Sequence, residues 1–95
     1  MLTLLVKYTA RPDCREKYVC TVEAEGLLSA IRAESGCLRY DYYYAAQDQN
    51  EILLVEQWVD EAHQQAHMQQ PHMARLMELK TEYIDSTVLQ RAELH

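Results

Sequence analysis

The sequence has few glycines and prolines, which are typical of disordered segments, and few basic residues, which are typical of nucleic-acid binding proteins. Its 95 residues include two glycines and two prolines, and 48% of them are hydrophobic. This composition is typical of one globular domain. Nine basic residues against fifteen acidic ones give a formal charge of −6, with no cluster of Lys and Arg. Because an acidic surface repels phosphate backbones, we expect no nucleic-acid partner.

Long apolar runs and paired cysteines are also missing. The first residues, MLTLLVK, are too short for a secretory signal and have no basic flank, and no run approaches the ~20 apolar residues of a membrane helix. Cys14, Cys20 and Cys37 are odd in number and form no CxxC pair. We therefore expect reduced thiols, a cytoplasmic location and no membrane span. Nothing marks Cys37 as a stabilised thiolate, so its role stays open.

The first half of the chain predicts a strand, a helix and a strand. Residues 2–8 alternate with the period of a strand. After a break, in which Asp13 can cap a helix, residues 15–34 have helical spacing with one apolar stripe. Gly26 lies inside this helix, where we expect close packing, and Ser35-Gly36 ends it. Residues 38–45 alternate again and form the second strand.

The second half repeats the pattern. Residues 51–59 form a third strand after the turn QDQN. Asp60 can cap a short helix through Met68, and Pro71 begins a second helix that runs to about Tyr83. Residues 86–94 alternate as a final strand. The order β-α-β-β-α-β is that of a ferredoxin-like α+β fold with an antiparallel sheet, formed by one domain over residues 1–95.

The third strand is largely apolar on both faces. Ile52, Leu54 and Trp58 lie on one face, and Leu53 and Val55 lie on the other. Such a strand should be central and covered on both sides. Helices can cover one side, but so short a chain has nothing left for the other. We therefore expect a homodimer that forms through the sheet face.

Two segments carry a resemblance to a known family. Residues 56–73 read EQWVDEAHQQAHMQQPHM, which is a strand ending in Glu-x-Trp, an acidic turn, and His-x4-His with a proline before the second histidine. Residues 34–40, ESGCLRY, resemble the turn that opens this family's second strand. Together with the element order, the chain resembles the antibiotic biosynthesis monooxygenase family, of the quinol monooxygenase type, over nearly its whole length.

The resemblance implies a homodimer whose sheets pack into a dimeric α/β barrel, with a ligand cavity between sheet and helices in each protomer. It also implies oxidation of quinols or polycyclic phenols by O₂ without flavin, haem or metal, so no cofactor is expected. Two positions depart from the family pattern. Gln70 replaces a small hydroxylic cap before Pro71, and Val6 occupies the position of the Asn used by the haem-degrading branch, which argues against haem breakdown.

Glu56 and Trp58 are two apart on a strand and project from the same face. A Trp beside a carboxylate can form the wall and the polar group of a site for a planar aromatic ligand, and we take both as catalytic candidates. The alternative is that Trp58 belongs to the core and Glu56 pairs with a neighbouring cation or backbone group. A buried Glu must be paired or protonated, and a protonated one can act as an acid.

His67 and His72 occupy family positions. Imidazoles ordinarily titrate near pH ~6.5, so they can accept a phenol proton at neutral pH. We take His67 as the catalytic base and His72 as a substrate-binding candidate. The alternative is structural: His67 can donate to a backbone carbonyl, and His72 can lie in the first turn of a helix. His63 and His67 share a helix face, but two ligands make a weak metal site, so no metal is expected.

Tyr40, Tyr42 and Tyr44 form a stripe on one strand face, opposite Tyr43. If the stripe faces the helices, Tyr40 and Tyr42 line the cavity and bind substrate; if it faces a partner subunit, they belong to the dimer interface. Periodicity leaves this open. The methionines at positions 68, 73 and 77 are best explained by packing, and Met77 is a further candidate for an adaptable pocket wall.

The function that follows is a cofactor-independent oxygenation of a quinol or phenolic aromatic. Two other functions stay open. One is an isomerase of a small phosphorylated, sugar-like signal of the autoinducer-2 phosphate type, for which Lys7, Arg39, Lys80 and Arg91 are the available cations. The other is a stress-response dimer that binds a small aromatic without turnover. The scaffold alone does not separate them.

Overall fold

The computed structural model describes residues 1–92. Four strands and four helices follow one another along the chain. They are β1 Leu2–Ala10, α1 Arg15–Ala24, α2 Leu27–Arg32, β2 Cys37–Tyr44, β3 Glu51–Trp58, α3 Glu61–Met68, α4 His72–Tyr83 and β4 Ile84–Ala92. The sheet is antiparallel with the strand order β2-β3-β1-β4. The predicted ferredoxin-like α+β fold is confirmed.

The helices cover one face of the sheet, which we call the helix face. It carries the even-numbered residues of the two central strands, including Val6 and Leu54, which are opposite one another in the β1–β3 ladder and almost fully buried. These side chains form one core with Val22, Ile31 and the apolar side of α4. Burial of such side chains contributes roughly 1.5–3 kcal/mol each relative to exposure, so this layer stabilises the whole sheet.

The opposite side of the sheet, which we call the open face, has no covering layer within residues 1–92. Leu5, Leu53 and Val55 are only partly buried there, and Val88 is 56% exposed. Lys7 lies among them and pairs with Glu51, 3.6 Å away. The third strand is therefore apolar on both faces, and in the isolated chain only one of them is covered.

Three details differ from the sequence predictions. The helix predicted over residues 15–34 is two helices, because Gly26 takes a left-handed conformation with φ +75°. Nothing lies within 4 Å of a Cβ placed on Gly26, so close packing is not the reason for this glycine. Asp13 does not cap α1; it has φ +64°, and Cys14 is the capping residue, without a side-chain hydrogen bond. The final strand begins at Ile84, and positions 93 and 94 of the predicted strand lie outside the described residues.

The predicted cap at Asp60 is confirmed, and the helix predicted to begin at Pro71 begins one residue later, at His72. The Asp60 side chain accepts a hydrogen bond from the backbone N–H of His63, and Pro71 directly precedes α4. A proline fits here because it has no N–H to leave unpaired. Within residues 1–92, no helix is long and apolar enough to span a membrane.

Candidate active site

Glu56 and Trp58 lie at the end of β3 and point to the helix face, where both are buried. The indole Nε1 of Trp58 donates a hydrogen bond to Glu56 Oε1 over 3.1 Å. Burial raises the pKa of the Glu56 carboxyl, and the hydrogen bond from Trp58, together with the nearby His67 ring when it is protonated, opposes this effect. The protonated form of Glu56 therefore persists to higher pH than that of an exposed Glu.

His67 lies in the last turn of α3 with its imidazole 2% exposed. The ring packs against Trp58 at a centroid distance of 4.7 Å, with 34° between the planes, and against Tyr40 at 5.7 Å. Its Nδ1 lies 3.1 Å and 2.9 Å from the two carboxylate oxygens of Glu34. No residue from 1 to 92 hydrogen-bonds its other nitrogen, Nε2.

Glu34 is the residue that sequence reasoning missed. It lies in the turn between α2 and β2, and its side chain is 8% exposed. Its Oε2 contacts His72 Nε2 at 2.8 Å as well as His67. Glu34, Glu56, Trp58, His67 and His72 thus form one group, which we call the His67 cluster. Glu34 opens the ESGCLRY segment, and that position was the one available signal.

Gly36 brings the Glu34 turn against α3. Its φ is +82°, and a Cβ placed on it would lie 2.5 Å from Cγ of His63. Its carbonyl also accepts the backbone N–H of Val59 over 2.9 Å. Only a residue without a side chain permits this approach, which places Glu34 within reach of His67.

His63 itself is not part of the His67 cluster. Its Nδ1 pairs with Asp60 Oδ1 at 2.6 Å, near the surface. The two histidines that share a helix face therefore bind different carboxylates. Within residues 1–92, no group of three His, Cys, Asp or Glu side chains has the arrangement of a metal site.

The tyrosine stripe of β2 faces the helices. Tyr40 is buried, and Tyr42 is partly buried with its hydroxyl 3.3 Å from that of Tyr18 on α1. Burial raises the pKa of Tyr40 and Tyr42 well above the usual value, and that of Tyr18 to about 12. These hydroxyls are neutral hydrogen-bonding groups at ordinary pH. Tyr44, at the end of the strand, is exposed beside Arg15.

Tyr8 and Lys80 extend the polar part of the same interior. Tyr8 is almost fully buried. The Nζ atom of Lys80 lies 4.9 Å from the Tyr8 ring centroid. Burial lowers the pKa of Lys80, and the charge of Glu56 opposes this shift. Lys80 is thus a cation that faces the helix side of the sheet.

Met77 lies outside the His67 cluster. It is 51% exposed and lines a surface groove of about 380 Å³ at the corner between α3 and α4, with Met68, Gln69, Gln70, Pro71, Met73 and Ala74. Of the three methionines assigned to packing, only Met73 belongs to the core, because Met68 is exposed as well. The groove begins directly after His67 in the chain.

Comparison with known protein families identifies the family to which this fold belongs. The family model described as "Antibiotic biosynthesis monooxygenase" matches residues 1–79. This chain belongs to that family. The antibiotic biosynthesis monooxygenase match extends from β1 into α4 and includes every residue of the His67 cluster.

Individual members of the family are distant relatives. The "Putative monooxygenase YcnE" of Bacillus subtilis is 31% identical over 72 residues, which are 76% of this chain and 74% of that protein. The "Probable quinol monooxygenase YgiN" of Escherichia coli is 26% identical over 81 residues, 77% of this chain and 78% of that protein. The crystal structure of PA3566 from Pseudomonas aeruginosa has a TM-score of 0.86 and 28% identity, and the match covers 99% of this chain and 93% of that one. These matches support a monooxygenase-like function.

Proposed function

We propose that this chain is a cofactor-independent monooxygenase that oxidises a quinol or another phenolic aromatic with O₂, and that His67 is its base. The observation that supports this most directly is the state of the His67 ring. Glu34 holds Nδ1, Trp58 packs against the ring, and Nε2 has no partner within residues 1–92. A carboxylate at one imidazole nitrogen fixes the tautomer that leaves the other free to accept a proton.

The aromatic side chains of the helix face suit a planar substrate. Trp58, Tyr40 and Tyr42 present rings on the helix face, and aromatic pairs favour offset or edge-to-face contacts with a bound ring. The buried Glu56 carboxyl, when protonated, is a hydrogen-bond donor for a quinol oxygen. In this proposal His72 acts on substrate through Glu34 and His67, and Met77 has a place only in the outer groove.

The proposed reaction balances as quinol plus O₂ giving hydroxyquinone plus water. His67 Nε2 takes the hydroxyl proton, and the resulting anion passes one electron to O₂. Superoxide and the ring radical combine into a C–O bond, and the peroxide takes back the proton. Loss of the ring hydrogen at that carbon with O–O cleavage releases water and leaves one oxygen on the ring. The residues of this chain bind, orient and deprotonate the substrate.

A phosphorylated sugar-like substrate fits the described residues less well. Three of the four available cations are paired with carboxylates: Lys7 with Glu51, Arg39 with Asp41 and Arg91 with Glu61. Lys80 has no ion pair within residues 1–92 and faces the helix side. One half-buried ammonium is a weak basis for phosphate recognition, so we rank the isomerase below the monooxygenase.

We also propose that the protein is a cytoplasmic homodimer that pairs through the open face into a dimeric α/β barrel. The partly exposed Leu5, Leu53 and Val55 support the pairing, because an apolar patch on a sheet is stabilised by a second layer. The three free cysteines are consistent with a reducing compartment.

Oxygen uptake tests the reaction. With a reduced naphthoquinol as substrate, the wild-type protein should consume O₂ faster than the uncatalysed reaction, and His67→Ala should lower this rate by about 10²–10⁴-fold, the usual contribution of a general base. His63→Ala, which removes the surface imidazole of the same helix, is the matched control. Equal rates with wild type, His67→Ala and buffer contradict the proposal, and ligand affinity without turnover would indicate the non-catalytic binding module.

A further inference from the structure

The His67 cluster contains one carboxylate between two imidazoles. Glu34 Oε2 lies 2.9 Å from His67 Nδ1 and 2.8 Å from His72 Nε2, so a single oxygen serves both rings. The side chains of Glu34 and His67 are almost fully buried, whereas that of His72 is 23% exposed. One ring is thus in the protein interior and the other reaches water.

One carboxylate balances only one positive charge. Two imidazolium rings on the same oxygen would leave a net positive charge in a buried site, where like charges within about 4–6 Å strongly oppose each other. Water stabilises an imidazolium, so the partly exposed His72 is the better place for the charge before substrate reacts. A base at His67 requires the neutral form of the ring.

We propose that Glu34 is a charge-balancing carboxylate that alternates between the two imidazoles, so that proton uptake at His67 is coupled to proton release from His72 into solvent. Before reaction, Glu34 pairs with the His72 imidazolium. When His67 Nε2 accepts a proton, Glu34 pairs with His67, and His72 gives up its Nδ1 proton to water. His72 and Glu34 are positioning residues. The proposal rests on the proposed function in one respect only, namely that the proton reaching His67 comes from the substrate.

Other titratable groups surround this set. Tyr40 and Cys37 face it from β2, Glu56 from β3 and Lys80 from α4. Burial raises the pKa of Tyr40 and of Cys37, so neither is charged at neutral pH. Glu56 and Lys80 are unchanged in all the variants below, so they do not account for a difference in titration between one variant and another. A difference in the His67 titration midpoint between variants therefore reports the coupling through the shared oxygen, Glu34 Oε2.

An NMR titration of the imidazole ring signals tests the coupling without substrate. In His72→Gln, the competing charge is gone and the titration midpoint of His67 should rise by about one pH unit. In Glu34→Gln, the midpoint of His67 should fall by a similar amount, because the balancing charge is removed. His63→Gln is the matched control, in which the His67 midpoint should not move. Gln at position 72 keeps an N–H donor for Glu34, so this variant retains the contact.

The pH dependence of turnover gives the second readout. Because His67 must be neutral to act, the acid limb of the rate profile should move with the His67 midpoint, upward in His72→Gln and downward in Glu34→Gln. If Glu34 and His72 had a purely structural role, the variants would lower the rate without moving the acid limb of the pH–rate profile. Unchanged His67 midpoints in both folded variants would overturn the proposal. Absence of oxygen uptake in the wild type would overturn the proposed function and leave the titration result standing. If Glu34→Gln does not fold, His72→Gln alone decides.

Discussion

At the scale of single residues, environment rather than residue type sets the chemistry of the carboxylates. Glu56 is buried beside Trp58, and burial raises the pKa of its carboxyl. Glu25 lies on the surface, where hydrogen bonds from Arg75 lower the pKa of its carboxyl. The contributions of the two glutamates to the free energy of unfolding should therefore change with pH in opposite directions.

The stability of Glu56→Gln tests this difference. A raised carboxyl pKa in the folded state contributes stability that is complete below the unfolded value of about 4.3 and is lost as pH rises through the folded pKa. Gln does not titrate, so Glu56→Gln should gain stability relative to wild type as pH rises from about 4 towards 7. Urea unfolding across that range measures the change.

Glu25→Gln is the matched control for that experiment. Because the pKa of Glu25 is lowered, its contribution is complete above the unfolded value of about 4.3 and is lost as pH falls below it. Relative to wild type, this variant should therefore lose stability as pH rises towards about 4.3 and change little from there to about 7. A pH trend of the same sign in both variants would contradict the assigned environments.

The site was partly predictable at this scale. The strand period places Glu56 and Trp58 on one face, and the family motif singles out His67 and His72. The contact of Glu34 with His67 spans 33 positions in the chain, and no local pattern encodes it. The sequence likewise could not place Met77, since half of an amphipathic helix faces solvent and the pattern does not say which flank borders a cavity.

At the scale of elements, two glycines in left-handed conformations have different roles. Gly26 separates α1 from α2 with open space around it, whereas Gly36 has φ +82° and lies against His63. The sequence predicted a helix end at Ser35-Gly36 but not the break at Gly26, because a single glycine inside a helical pattern can be tolerated.

The two alanine variants should therefore differ in stability. Gly26→Ala should cost about 1–2 kcal/mol of the free energy of unfolding, the backbone penalty alone. Gly36→Ala adds a steric clash with the His63 side chain and should cost more, about 2–4 kcal/mol when strain and overpacking are combined. Urea unfolding of both variants at one pH measures the difference, and equal losses would contradict the close approach at Gly36.

At the scale of the whole molecule, the element order followed from periodicity and the ferredoxin-like antiparallel sheet from that order, and the structure confirms both. The two-sided apolar β3 is the residue-level basis for expecting a second layer on the open face. In the proposed dimer, this layer comes from a second copy of the chain. The pairing therefore stays a proposal that rests on Leu53, Val55 and their neighbours.

Charge on the open face should separate the proposed subunits. Val55→Lys places an ammonium in the centre of this face, where burial without a partner costs several kcal/mol, so the variant should be monomeric. Met77→Lys is the matched control, because Met77 is 51% exposed on the helix side. Light scattering coupled to gel filtration should give a dimer for the wild type and this control. A dimer with Val55→Lys would place the interface elsewhere.

The junction between α4 and β4 also restricts how the chain can change in length. α4 ends at Tyr83 and β4 begins at Ile84, so no linker residue lies between them. Side chains repeat every 3.6 residues around the helix and every two residues along the strand. One residue inserted there would turn the helix by about 100° relative to the strand, or exchange the two faces of β4. The distance from His72 to Ile84 is therefore fixed in number of residues.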